Sequence, residues 1–171
     1  MLRDELRWIK EVAPHRLAIS PHPRGGQWLA GDISAWRTAG VDSVISLING
    51  AEERDLELEQ EAILCRACGI EFVSFPIKDR GVPTSPDATA SLVDWVISDL
   101  RRGLGVAIHC RLGIGRSGLI AACVLQGLGH AHDTVFPILS RARGLHVPDT
   151  EAQAEWVRRF AAAASPTSVR S

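Results

Sequence analysis

The chain has 171 residues, 46% of them hydrophobic, enough for one packed core without disulfide staples. A formal net charge of −1 excludes a global field that would draw it to nucleic acid or an acidic membrane, so anion recognition must come from local basic residues. No run approaches the ~20 apolar residues that span a bilayer and the charged start lacks a signal-peptide core, so a soluble cytoplasmic protein is expected.

In chain order, Arg16–Ser20 (RLAIS) reads as a short strand and Pro21 to Gly26 as a loop. A short helix is predicted within Trp28–Ala39, stopped by Gly40. Val41–Ile48 reads as a buried strand rich in β-branched residues. Glu52 to Ala67 is predicted as one helix ending at Gly69, followed by a strand over Ile70–Ile77. After a polar loop, Lys78 to Pro86, comes a helix from Asp87 to Arg102 with Leu92, Val93, Val96, Ile97 and Leu100 as its apolar stripe. Asp87 suits the first turn of that helix by its charge. Gly103–His109 is a nearly all-apolar strand of the kind covered on both faces. Helices are expected over Arg116–Leu128, Asp133–Arg143 and Thr150–Ala164, with Asp149 capping the last and a frayed tail from Ser165.

Strands alternating with helices imply an α/β fold: a central, mostly parallel sheet of about 4–5 strands with helices on both faces. One domain is expected over residues 1–171, its core at about 16–164. Ligands of such sheets sit where loops leave the carboxyl ends of the strands, which is where the loop after His109 lies.

That loop reads His109-Cys110-Arg111-Leu112-Gly113-Ile114-Gly115-Arg116-Ser117-Gly118. Its glycines let the backbone bend tightly and approach a ligand. Curled at a helix N-terminus, its N–H groups form a nest for an anion, and Arg116 adds a planar fork suited to two phosphate oxygens. The same positive surroundings lower the Cys110 thiol toward ionisation. A thiolate facing a bound phosphoryl group is a nucleophile, and Ser117 is placed to donate a hydrogen bond to the sulfur when it departs. A chance match to all these residue types in a chain this long has a probability of ~10⁻⁵ to 10⁻⁴.

HCRLGIGRSG resembles the signature of the protein tyrosine and dual-specificity phosphatase superfamily, His-Cys, five residues, then Arg-Ser/Thr. The smaller dual-specificity type is the closer match, over roughly Trp28 to Phe160. The resemblance implies a two-step reaction through a phosphocysteine, without metal or cofactor. Cys110 would be the nucleophile, and residues 111–116 (Arg111, Leu112, Gly113, Ile114, Gly115 and Arg116) would hold the phosphate. His109 would shape the loop and the thiolate rather than act as a base.

Phosphoester cleavage needs a proton donor for the leaving oxygen. Asp79 follows the strand IEFVSFPI and emerges on the same sheet edge as Cys110; the family pattern, an Asp about thirty residues before the cysteine, implies the same residue. In some members a glutamine near the last helix orients the hydrolytic water. Here Asp149 replaces the first glutamine of that pattern while Gln153 remains, so neither is assigned to catalysis.

Cys65 and Cys68, three apart on one helix face, read as packing residues rather than metal ligands, although an oxidant could join one of them to Cys110. Arg24 and Trp28 either border the pocket or anchor their loop. Lys78, Arg80, Arg141 and Arg143 gather round the pocket or are solvated surface charges. The expected substrate is a phosphorylated protein or peptide, with phosphotyrosine and perhaps phosphoserine or phosphothreonine accepted. The alternatives are a phosphoinositide, inositol phosphate or RNA 5′-phosphate, or an inactive phosphate-binding module. Leu112 and Ile114 are apolar where sites for highly charged substrates place basic residues, which favours protein substrates.

Overall fold

The computed structural model describes residues 5–164. Its five-stranded sheet has the order β1-β2-β5-β3-β4. β2 (Arg16–Pro21), β3 (Ser43–Ser46), β4 (Glu71–Ser74) and β5 (Gly105–Cys110) run parallel. At the edge, β1 (Arg7–Trp8) pairs antiparallel with β2, an addition the charged N-terminal sequence did not announce.

β5 is buried along its whole length because both its neighbours and both its faces are occupied. Period-two alternation splits its side chains between the two faces. Val106, Ile108 and Cys110 enter one core cluster and Ala107 the other. The first face is covered by α4 (Pro86–Arg101), α5 (Arg116–Gly127), α6 (His132–Arg143) and α7 (Glu151–Ala164). The second is covered by α1 (Leu29–Thr38) and α3 (Glu61–Ala67), through Leu29, Ile33, Trp36 and Cys65.

The helix predicted over Glu52 to Ala67 is in fact two. α2 spans Gly50–Asp55, opened by a capping box in which Asn49 Oδ1 accepts from the Glu52 N–H and Glu52 accepts from the Asn49 N–H. It stops because Glu57 takes a left-handed conformation (φ 55°), its carbonyl accepting from the Gly26 N–H while Leu58 turns into the core. Local helix propensity yields there to burial of one leucine. The strands predicted over Val41–Ile48 and Ile70–Ile77 are shorter, their regular pairing being confined to Ser43–Ser46 and Glu71–Ser74. The expected tail from Ser165 lies outside the described residues. No helix among those described is long and apolar enough to cross a membrane.

Candidate active site

The turn from β5 into α5 begins with Cys110 opposite Pro21 of β2 and ends with Arg116 as the first residue of α5. Gly113 adopts φ +70°, and a Cβ there would stand 2.5 Å from the Ser20 backbone, so only glycine lets the loop lie against the end of β2. From behind, the Arg143 guanidinium donates to the carbonyls of Gly113 and Leu112, each at 3.0 Å. Arg143 therefore braces the loop instead of being a solvated charge.

Cys110 is 3% exposed at the floor of a cavity of about 240 Å³. Burial alone pushes its thiol up. The Ser117 hydroxyl, 3.3 Å from Sγ, then the amides of Ser117 and Ile114, and then the charge of Arg116 outweigh burial and hold the group below its ordinary value. Cys65 and Cys68 pack into the cluster on the opposite face of the sheet, so the fold does not bring them to Cys110. Burial pushes the Cys65 and Cys123 thiols up to about 12, which marks both as packing groups.

Arg116 is 2% exposed, and its five N–H bonds can be counted. Nη1 and Nη2 each donate to one oxygen of Glu52 at 2.7 Å. The second Nη1 hydrogen goes to the Ile77 carbonyl at 3.0 Å, and the second Nη2 hydrogen to Asp79 Oδ1 at 3.1 Å. Among the described residues, only Nε–H is left without a partner. Burial works against the Glu52 carboxylate, but Arg116 and the Asn49 N–H hold the group below its usual value. Glu52 is thus the residue that aims the fork, and sequence reading had used it only as a helix former. The signal available was Asn-x-x-Glu directly after a buried strand that ends on the Cys110 edge.

Asp79 reaches the cavity wall as expected. Its loop is held in two places: Arg80 Nη1 meets Asp149 Oδ2 at 3.0 Å, and Gln153 Nε2 donates to the Gly81 carbonyl at 3.1 Å. Gln153 is fully buried and also forms a capping box with Thr150. The expected cap is therefore corrected: Thr150 caps α7 because Asp149 is drawn to Arg80. Asp149 and Gln153 both line the cavity, so Arg80 and the start of α7 together form its rim.

His109, across the strand from Cys110, is fully buried against Trp36, with ring centroids 5.9 Å apart. Its Nε2 lies 2.7 Å from Glu61 Oε1 and its Nδ1 3.3 Å from the Cys110 carbonyl. Both partners are acceptors, so the ring is satisfied as an imidazolium. Burial opposes that charge, but Glu61 and the Cys110 carbonyl raise the group above its ordinary value. Glu61 (2% exposed) was also missed, because nothing along the chain links it to His109. Away from the cavity, Arg141 pairs with Glu11 at the surface, and Arg24 stacks on a half-exposed Trp28.

A mostly parallel sheet that ends in a cysteine–arginine loop, with an aspartate across from it, defines the protein tyrosine and dual-specificity phosphatase class of hydrolases. The family model Tc-R-P, described as "Polymorphic toxin system, DSP-PTPase phosphatase", matches residues 21–130, and the chain belongs to that family. It is similar to putative tyrosine phosphatase 067L of Invertebrate iridescent virus 3, 32% identical over 92 residues, 52% of this chain and 35% of that protein. It is also similar to protein tyrosine phosphatase domain-containing protein 1 of Bos taurus, 33% identical over 136 residues, 75% of this chain and 17% of that protein. The chain spans about a third or less of the length of these two curated relatives. Among solved structures it resembles kinase associated phosphatase with its catalytic cysteine replaced by serine, with a TM-score of 0.83 at 20% identity over 92% of this chain and 94% of that one. PTPMT1 in complex with PI(5)P gives 0.76 at 18% identity over 94% and 96% of the two chains. At these identities the likeness is one of fold.

Proposed function

We propose that this chain hydrolyses phosphoprotein monoesters, phosphotyrosine and also phosphoserine or phosphothreonine, through a phosphocysteine on Cys110. The observation that carries the reading is the Cys110 sulfur, held below its ordinary thiol value by Ser117, two loop amides and Arg116 at the floor of an accessible cavity.

The steps follow from the hydrogen-bond count. Substrate phosphate takes the free Nε–H of Arg116 and the Nη2 hydrogen that Asp79 holds, so Asp79 is displaced from the fork as the dianion enters. The thiolate attacks phosphorus, an S–P bond forms and the P–O bond to the leaving group breaks. Released from Arg116 beside the incoming dianion, Asp79 takes up a proton from solvent and gives it to the departing oxygen. Water then attacks the phosphocysteine with Asp79 taking its proton; the S–P bond breaks, and Ser117 donates to the returning thiolate. Arg116 and the loop amides stabilise charge on the equatorial oxygens in both steps. Glu52 keeps the fork in place throughout, and the chemistry invokes no metal or cofactor.

Exposed Leu112 beside half-buried Ile114 suits a peptide better than a densely phosphorylated inositol or an RNA 5′ end. The test is hydrolysis of aryl phosphates and of singly phosphorylated peptides, with Cys110→Ser as the control. Turnover that is lost in this variant while phosphate binding persists supports the reading. A wild type that binds phosphate without turnover is an inert binding module.

A further inference from the structure

The catalytic cavity is not the largest recess on the surface. A groove of about 530 Å³, more than twice the catalytic cavity's 240 Å³, lies between the start of α1 and the joint of α2 with α3. Leu29, Ala30 and Leu64 supply its apolar part, and Glu57 and Glu59 stand with Arg54 in its polar wall. The break in the helix creates that wall. The left-handed turn at Glu57 sends Leu58 into the core and leaves Glu57 and Glu59 exposed on either side of it. Nothing in the reaction derived above uses this groove.

Two observations mark it as a contact surface. Four large apolar side chains are exposed among the described residues, and two of them border the groove. Trp28, 53% exposed, directly precedes Leu29, and Ile63, 60% exposed, directly precedes Leu64. Apolar surface gathered round a recess gains by being covered. The charge is equally one-sided. Glu53, Asp55, Glu57 and Glu59 succeed one another along the joint, and none has an ion pair or a side-chain hydrogen bond among the described residues. Arg54 is the one cation within that stretch. The net charge of −1 thus hides a separation: Arg80, Arg111 and Arg116 line the catalytic cavity, while free carboxylates edge the groove.

We propose that this groove docks a segment of the phosphoprotein substrate that is rich in lysine or arginine and carries apolar side chains. The inference rests on the phosphatase reading above and adds the means by which a substrate is chosen. Charge complementarity selects the occupant. An acidic segment would be repelled by the four carboxylates, and a purely apolar one would strip water from Glu57 and Glu59 without replacing it. The groove also shares an element with the catalytic site. Glu52 of α2 holds Arg116, and Glu57 lies five residues further on. The two sites are therefore ~10–15 Å apart, a span that about four or five extended residues cover. A segment seated in the groove makes delivery of its phosphate to Cys110 intramolecular.

The test uses singly phosphorylated peptides joined, through spacers of about four to ten residues, to a Lys/Arg/Leu segment, its Glu/Leu counterpart or a Gly/Ser segment. The basic segment is expected to lower KM about tenfold at unchanged kcat, with a gain that shrinks as salt is raised. In Glu57→Gln/Glu59→Gln the gain should fall to about two- or threefold, and Ile63→Ser should lower it separately. A small aryl phosphate, which does not span the two sites, should turn over equally in wild type and variants, so a folding defect is told apart from lost docking. No gain from the basic segment at any spacing, an equal gain from the Glu/Leu segment, or a gain undiminished in both variants overturns the proposal. If no phosphoester is turned over, the phosphatase reading fails instead. Fluorescence anisotropy of the unphosphorylated basic segment then decides the groove: binding that weakens in Glu57→Gln/Glu59→Gln supports it, and absent or undiminished binding overturns it.

Discussion

Asp79 occupies one tine of the fork that takes phosphate in the proposed reaction. Replacing it with asparagine should therefore have two effects of opposite sign. The Asp79 side chain is 56% exposed, so its 3.1 Å pair with Arg116 is strongly screened and is worth ~0.5–1 kcal/mol. Removing that competitor should tighten inorganic phosphate binding ~2- to 5-fold. The same substitution removes the proposed proton donor and should lower turnover of tyrosyl phosphate by ~10²–10⁴, with a smaller loss for esters whose leaving group needs no proton. The assay is competitive inhibition by phosphate against an activated aryl ester, alongside kcat for phosphotyrosine peptide, in Asp79→Asn and Asp79→Ala. Unchanged or weaker phosphate inhibition in both variants would refute the displacement model, and equal kcat losses for good and poor leaving groups would remove Asp79 from the acid role.

Glu52→Gln should destabilise the fold by ~3 kcal/mol, the low end for breaking a buried ion pair, since the amide oxygen still accepts one Arg116 hydrogen. Urea titration measures the loss, and aryl phosphate kinetics should show it accompanied by a lower kcat as the fork loses its aim. Because the Glu52 group is held below its usual value, its contribution is present above the unfolded carboxyl range and is lost as pH falls, so the variant should also flatten the acid limb of the stability profile. Glu61→Gln leaves His109 fully buried without a counter-charge. The imidazolium should then discharge at lower pH, and the pH profile of Cys110 alkylation by iodoacetate should move upward, whereas an unmoved profile would confine Glu61 to packing. The charged pair in the wild type is a stabilising element below the unfolded histidine value, lost as pH rises through the raised one. Ser117→Ala should slow breakdown of the phosphocysteine more than its formation, so that rapid-quench measurements find an initial burst of leaving group.

The sequence by itself determined whatever depends on neighbours along the chain. Alternation in β5 and the glycine-bearing turn after it required a loop at a strand's carboxyl end, and Cys110, Arg116 and Ser117 had to share it because one strand–turn–helix unit carries all three. Asp79 was legible because a parallel strand delivers its following loop to the same edge. Only the tertiary structure decided what holds these groups. Glu52 and Glu61 lie 64 and 48 residues from Arg116 and His109, and a surface glutamate and a buried counter-ion look alike in a helical stretch. The break at Glu57 and the diversion of Asp149 to Arg80 have the same cause. Burial and ion pairing act between segments the chain keeps far apart, and at those positions they outweighed the local propensities that a sequence displays.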